Sequence, residues 1–138
     1  MNEPTRPLPH TNEMDTREFW AATKDKELCY QQCDDCNTVV FYPRRHCMGC
    51  TSGNLTWKLS KGFGTVYTYS VVRQSYHPFF RGKVPYAVAW IELDEGPRML
   101  SNVIEVDDPS ADVQIGMKVE LVWEEHEEVN IPLFRPAG

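Results

Sequence analysis

Downstream of residue 62 the apolar residues fall in short runs of the kind that β-strands need. GTVYTYSVVRQ (64–74) is rich in β-branched and aromatic residues. PYAVAWIELD (85–94), RMLSNVIEV (98–106) and MKVELVWEE (117–125) follow as three further runs. In the last of these, Val119, Leu121 and Trp123 alternate with Lys118, Glu120, Val122 and Glu124, the period of a half-buried strand. Turn signals separate the runs: Glu95-Gly96-Pro97, Asp107-Asp108-Pro109-Ser110 and Ile115-Gly116. Nothing after residue 58 calls for a helix longer than about two turns. The segment NIPLFRPAG carries Pro132 and Pro136 and reads as an edge segment or extended tail.

The pattern upstream is different. DTREFWAATKDKEL (15–28) reads as a helix, with Asp15 capping the first turn and Glu18 completing a capping box. Its apolar stripe is partial: Phe19, Trp20, Thr23 and Leu28. Phe19 and Trp20 pack either on a partner or in the chain's own core. Residues 1–14 hold Pro4, Pro7 and Pro9 with little apolar content, and read as a flexible arm. Residues 29–58 hold all the cysteines. Residues 59–138 hold the strands and the tail. There is no internal repeat. The acidic cluster Glu124, Glu125, Glu127 and Glu128 reads as a solvated strand end and turn. The fold class is therefore mainly β, a small cysteine-rich module joined to four or five antiparallel strands. Closure of those strands into a small barrel removes the exposed edges of a short sheet.

Composition narrows the function. The 138 residues carry 14 Lys+Arg against 20 Asp+Glu, a formal net charge of -6. That balance disfavours general binding to nucleic acid or to an anionic membrane, because both are polyanions. No apolar run approaches the roughly 20 residues that span a bilayer. The first fifteen residues lack the apolar core of a signal peptide, so the chain reads as cytoplasmic. The five cysteines, Cys29, Cys33, Cys36, Cys47 and Cys50, are odd in number and tightly clustered, a poor disulfide framework and a good metal framework. Cys33-x2-Cys36 and Cys47-x2-Cys50 each place two sulfurs on one tight turn. Together they complete a tetrahedron of thiolates with no open position, which suits one structural zinc per chain. A four-thiolate iron site has the same spacing. Asn37 and Gly49 tolerate the left-handed backbone that such turns use. Cys29 is the spare, read as a small buried apolar residue. His46 reads as a surface residue beside Arg44 and Arg45.

No catalytic constellation is visible. His10, His46, His77 and His126 are scattered, and no nucleophile elbow, phosphate loop or HExxH is present. One segment has ligand-binding chemistry: RQSYHPFFRGKVPY (73–86) combines Arg73, Arg81 and Lys83 with Tyr76, Phe79, Phe80 and Tyr86. Adjacent Phe79 and Phe80 on an extended backbone point to opposite faces. The segment is either a recognition loop for a partner or a phosphate-bearing, partly apolar ligand, or a hairpin loop covering the barrel end.

These residues taken in order resemble the DUF35 family. The resemblance rests on Trp20, Leu28, the four ribbon cysteines, Pro43-Arg44, Trp57-x4-Gly62-x-Gly64-Thr65-Val66, Pro85-Tyr86-Ala87-Val88-Ala89, Ile115-Gly116-Met117-x-Val119 and Leu133-Phe134-Arg135-Pro136. It spans about residues 15–136. It implies an N-terminal helix, a rubredoxin-like zinc ribbon and a C-terminal five-stranded OB-fold barrel. It also implies a non-catalytic accessory subunit of a thiolase-like complex (thiolase, aldolase or acyltransferase) acting on acyl-CoA, with the catalytic residues in the partner. Acyl-CoA then lies at or near the interface. Arg73, Arg81 or Lys83 sits near the anionic end of coenzyme A, with Phe79 and Phe80 in the same loop. Phe19 and Trp20 are the alternative docking face. Two other functions compete: a single-stranded nucleic-acid module, disfavoured by the acidic barrel half, and a small acyl-CoA thioesterase using Cys29 or an acid pair.

Overall fold

The computed structural model describes residues 5–137; Pro4 and the three residues before it, the start of the 1–14 arm, lie outside the described residues. Helix α1 (Arg17–Lys24) leads into the ribbon strands β1 (Cys29–Cys33), β2 (Val39–Val40) and β3 (Leu55–Leu59). The barrel strands are β4 (Phe63–Val72), β5 (Tyr86–Leu93), β6 (Arg98–Val103), β7 (Lys118–Glu125) and β8 (Asn130–Pro136). Single-turn helices α2 (Pro78–Arg81) and α3 (Pro109–Asp112) sit in the β4–β5 and β6–β7 connections. Among the described residues no helix is long and apolar enough to cross a membrane.

The helix starts differently from the expected capping box. Thr16, not Asp15, is the N-cap, and no side chain caps the helix. The reason is a turn one step earlier: the Glu13 carbonyl already accepts from the Thr16 (3.3 Å) and Arg17 (2.9 Å) N–H groups, so the first donors are satisfied by backbone. The far end of α1 is bolted to the barrel through a buried polar cluster. Thr23 Oγ1 donates to the Trp20 carbonyl at 2.6 Å, and Asn130 Nδ2 donates to the Thr23 carbonyl at 2.9 Å. Asn130 Oδ1 accepts from the His126 N–H at 3.2 Å. Phe19 and Leu28 then insert into the barrel core.

The acidic turn is solvated as expected at Glu125, Glu127 and Glu128, which are exposed, and it also receives three cations from the N-terminal region. Arg6 meets Glu124 at 2.9 Å, Lys26 meets Glu125 at 2.7 Å, and Lys24 donates to the Glu127 carbonyl. An acidic strand end is a natural anchor for a lysine-bearing helix end packed beside it.

The ribbon is a three-stranded antiparallel sheet in the order β2-β1-β3. Buried Gln31 locks it by accepting from the Arg44 N–H (2.8 Å) and donating to the Arg44 carbonyl (2.9 Å). The barrel closes in the order β4-β5-β6-β8-β7. Val66, Ile91, Leu93, Met99, Val103, Val119 and Phe134 point inward as its core. Gly64 must be glycine, because a Cβ there would lie 2.7 Å from the Glu92 carbonyl oxygen on the paired strand.

The segment expected to be an edge or tail is β8, which completes the barrel. It pairs with β7 along its length, Glu125↔Asn130 through Val119↔Pro136, and with β6 in parallel at Val103↔Phe134. The Phe134 carbonyl accepts from Ile104 at 2.7 Å, so by alternation the backbone groups of Pro132 and Pro136 also face β6. Their missing donors therefore fall on the side where a single bridge is made, and the β7 ladder is intact.

Candidate functional site

The two Cys-x2-Cys turns are built alike. In the first, the Asn37 N–H donates to the Cys33 carbonyl (2.9 Å) and the Cys33 N–H to the Thr38 carbonyl (2.9 Å). In the second, the Thr51 N–H donates to the Cys47 carbonyl (2.9 Å) and the Cys47 N–H to the Ser52 carbonyl (2.8 Å). The residue after each second cysteine is left-handed, Asn37 at φ 64° and Thr51 at φ 65°. The expectation thus holds for Asn37, while Thr51, not Gly49, plays that part in the second turn. Gly49 serves space instead: a Cβ there would sit 3.0 Å from Thr38 Oγ1 and 3.6 Å from Cys47 Sγ.

All four sulfurs lie within 4.8 Å of one another, with Cys33–Cys50 and Cys36–Cys47 each at 3.5 Å. Thiolates about 2.3 Å from a tetrahedral zinc are about 3.8 Å apart, so the donor set fits that ion. The charge balance asks for it too. The Thr38 hydroxyl and N–H beside Cys36 hold its thiol down at about 6. Cys50 is pushed up to about 12: the Ser52 N–H favours its thiolate, but Cys36 and Cys33 crowd it. Four adjacent thiolates need a dication to coexist. Cys33 and Cys47 are buried, and Cys36 and Cys50 are at the surface. A zinc held by Cys33, Cys36, Cys47 and Cys50 is four-coordinate by protein and serves the fold. The Gly49 N–H points at Cys47 Sγ at 3.3 Å, a backbone donor that orients the ligand.

The fifth cysteine stands apart. Cys29 opens β1, half-buried, and burial together with Glu27 pushes its thiol up, the reverse of what a nucleophile needs. His46 is exposed. His77 Nδ1 accepts the Phe79 N–H at 3.1 Å as the N-cap of α2. His126 Nε2 contacts Glu124 at 3.1 Å.

The segment 73–86 divides. Phe79 and Phe80 lie on the α2 turn rather than on extended backbone, so their rings meet edge to face at 5.0 Å instead of pointing apart. Lys83 Nζ lies 5.1 Å over the Phe79 ring. Arg81 folds back onto the Tyr76 carbonyl at 3.0 Å, and Arg73 donates to Ser110 Oγ on α3. Phe19 is 4% exposed, packed edge-on against Trp20 and Phe41. Trp20 is half-buried and faces a groove.

That groove runs along the outer face of β5, β6 and β8, floored by Tyr86, Asn102 and Leu133. One half, about 340 Å³, lies under Trp20 of α1 and Tyr42 of the ribbon. The other, about 440 Å³, lies beside Phe79, Phe80 and Lys83. Phe80 and Arg6 line both halves. The walls are mainly apolar; the charges in the second half are Arg6, Lys83 and Glu124. Arg6, Tyr42, Asn102 and Glu124 come from four separate segments, and sequence reasoning missed this convergence. One signal was present: β5 is apolar on both faces, with Ala87, Ala89 and Ile91 buried inward and Tyr86, Val88 and Trp90 outward. A strand with an apolar outer face is covered or binds something.

Comparison with known proteins places both modules. Residues 20–56 match the family model described as ChsH2, rubredoxin-like zinc ribbon domain, and residues 57–124 match ChsH2, C-terminal OB-fold domain. A "DUF35 domain-containing scaffold protein" of Methanocaldococcus jannaschii is 39% identical over 106 residues, covering 75% of this chain and 73% of that protein. A "Probable enoyl-CoA hydratase alpha subunit" of Thermomonospora curvata is 36% identical over 133 residues, 96% of this chain; the chain spans 40% of that protein's length. A solved chain described as "Ltp2-ChsH2(DUF35) aldolase" superposes with a TM-score of 0.81 at 35% identity, covering 95% of this chain and 98% of that one.

Proposed function

The chain belongs to the DUF35 family, and on that premise we propose that it is the non-catalytic accessory subunit of a thiolase-like complex acting on acyl-CoA. In this reading it stabilises the partner enzyme and helps to hold coenzyme A at or near their contact. The observation that carries the reading is the groove over β5, β6 and β8. Coenzyme A pairs a long, mostly neutral pantetheine arm, which suits a narrow apolar channel, with a phosphate-rich head, which suits cations. The groove offers both, with Trp20, Tyr86 and Leu133 along it and Arg6 and Lys83 at its α2 half. Arg73 and Arg81 are engaged elsewhere, which makes Lys83 the loop cation suited to the anionic end. The descriptions of the relatives, a scaffold protein, a hydratase subunit and an aldolase, support an accessory place beside an acyl-CoA enzyme. The raised Cys29 thiol supports chemistry done by the partner.

The test is an assay of purified chain against a panel of acyl-CoA thioesters, alone and with a candidate thiolase-like enzyme. Turnover is expected only with the enzyme, together with a stable complex on size-exclusion chromatography. Cleavage by the isolated chain that disappears in Cys29→Ala overturns the reading in favour of a thioesterase.

A further inference from the structure

We propose that Arg6 is the anion-binding cation of the groove, taking the phosphate-bearing end of the acyl carrier in exchange for Glu124. The inference rests on reading the groove as the coenzyme A site. Arg6 stands outside the ribbon, the barrel and the 73–86 loop, yet its side chain is only 13% exposed. Its guanidinium carbon lies 5.7 Å from the Phe79 ring centroid and 5.4 Å from that of Phe80, and it lines both halves of the groove.

Its present partner is poorly matched. Nε is 2.9 Å from Glu124 Oε1, but the N–H does not aim at that oxygen. Among the described residues Arg6 Nε is the buried side-chain polar atom left without a hydrogen bond. Glu124 Oε1 is shared with His126 Nε2 at 3.1 Å. A guanidinium beside a carboxylate ordinarily forms two parallel bonds, and an orphaned buried donor is costly. Lys83 lines the same half of the groove, 5.1 Å over the Phe79 ring that Arg6 also approaches. Two cations therefore face one divided carboxylate, a local positive surplus in a chain whose net charge is -6. A phosphate supplies what Glu124 does not: several oxygens at once for the planar fork of Arg6 and the point charge of Lys83.

Isothermal titration of the full chain with coenzyme A and with pantetheine, which lacks the phosphates, tests this. Arg6→Ala should weaken coenzyme A binding about 10- to 150-fold and weaken pantetheine binding far less. Arg6→Lys should recover part of the loss. Glu124→Gln should have the opposite sign and tighten coenzyme A binding, because the ligand no longer displaces a carboxylate. A merely structural Arg6–Glu124 bridge makes both substitutions weaken binding alike, and that result overturns the proposal. Unchanged binding in Arg6→Ala overturns it too, as does tighter binding, which would make Arg6 a plug. In each of these cases binding of coenzyme A by the wild type leaves the groove reading standing. A wild type that binds neither coenzyme A nor pantetheine overturns the groove reading and this proposal together.

Discussion

The ribbon and the barrel share one chain but stand on different physics. The ribbon's own buried cluster is Cys33, Val40 and Cys47, with Leu55 packed against it, and two of those three are metal ligands. The barrel and its helix bury a set that includes Phe19, Leu28, Ile91, Leu93 and Phe134. A cluster as small as the ribbon's cannot offset the entropy of ordering its loops, so the ion takes the place of a core. The barrel needs no ion, because its strands bury apolar residues on a closed surface. The same chain thus holds its shape once by coordination and once by packing.

Removing the metal should break the comparison most visibly. Structural zinc in small modules contributes on the order of 10 kcal/mol. Chelation or Cys47→Ser should abolish hydrogen-exchange protection at the Asn37 and Thr51 amides while Val66 and Ile91 stay protected. Cys29→Ser should keep one metal per chain by elemental analysis. Loss of metal in Cys29→Ser, or joint collapse of both modules, contradicts the division. Acid should act in the same order, because protons compete with the ion for the thiolates before the barrel loses any core contact.

The converse substitution is smaller. Phe134→Ala empties the centre of the barrel and should cost about 3–5 kcal/mol in urea unfolding, with one metal per chain retained until the midpoint. Metal loss well before that midpoint shows that the ribbon leans on the barrel.

The smallest effect belongs to the surface pair that ties the turn after α1 to the end of β7. Lys26, hydrogen-bonded to Glu125 and opposite to it in charge, holds that carboxyl below its usual range. A carboxyl lowered in the fold stabilises in full above its unfolded value of about 4.3, and the contribution is lost as pH falls through the lower folded value. Glu125→Gln should therefore slightly lower the urea midpoint at pH 7 and leave it unchanged at acid pH, with salt erasing the difference. A Glu125→Gln effect that persists in acid assigns the contact to packing instead.

What the chain declares in advance follows the range of the interaction. The cysteine spacing is local, and each turn closes on itself through Asn37 or Thr51, so the metal site was readable residue by residue. The first four barrel strands were legible because β-branched runs and turn residues are also local. β8 was read as a tail because Pro132 and Pro136 forbid two ladder donors; only the register against β7 reveals that those donors face the lightly paired side. The capping box failed because the Glu13 carbonyl had already taken its donors. Arg6 and Glu124, 118 positions apart, carry no mutual signal at all, since their meeting depends on barrel closure and on α1 lying across it.

Barrel closure also sets an order in time. The ribbon sheet is complete once Leu59 has been added, and each of its partners lies within residues 29–59. The barrel cannot close until Asn130–Pro136 exist, because β8 alone joins β6 to β7. At about 5–20 residues per second, synthesis separates these events by several seconds. During that interval the nascent chain can already capture its ion, while β4 to β6 wait as an open sheet with exposed edges. A cell short of zinc or rich in chaperones therefore acts on this protein at two distinct moments of its making, and not at one.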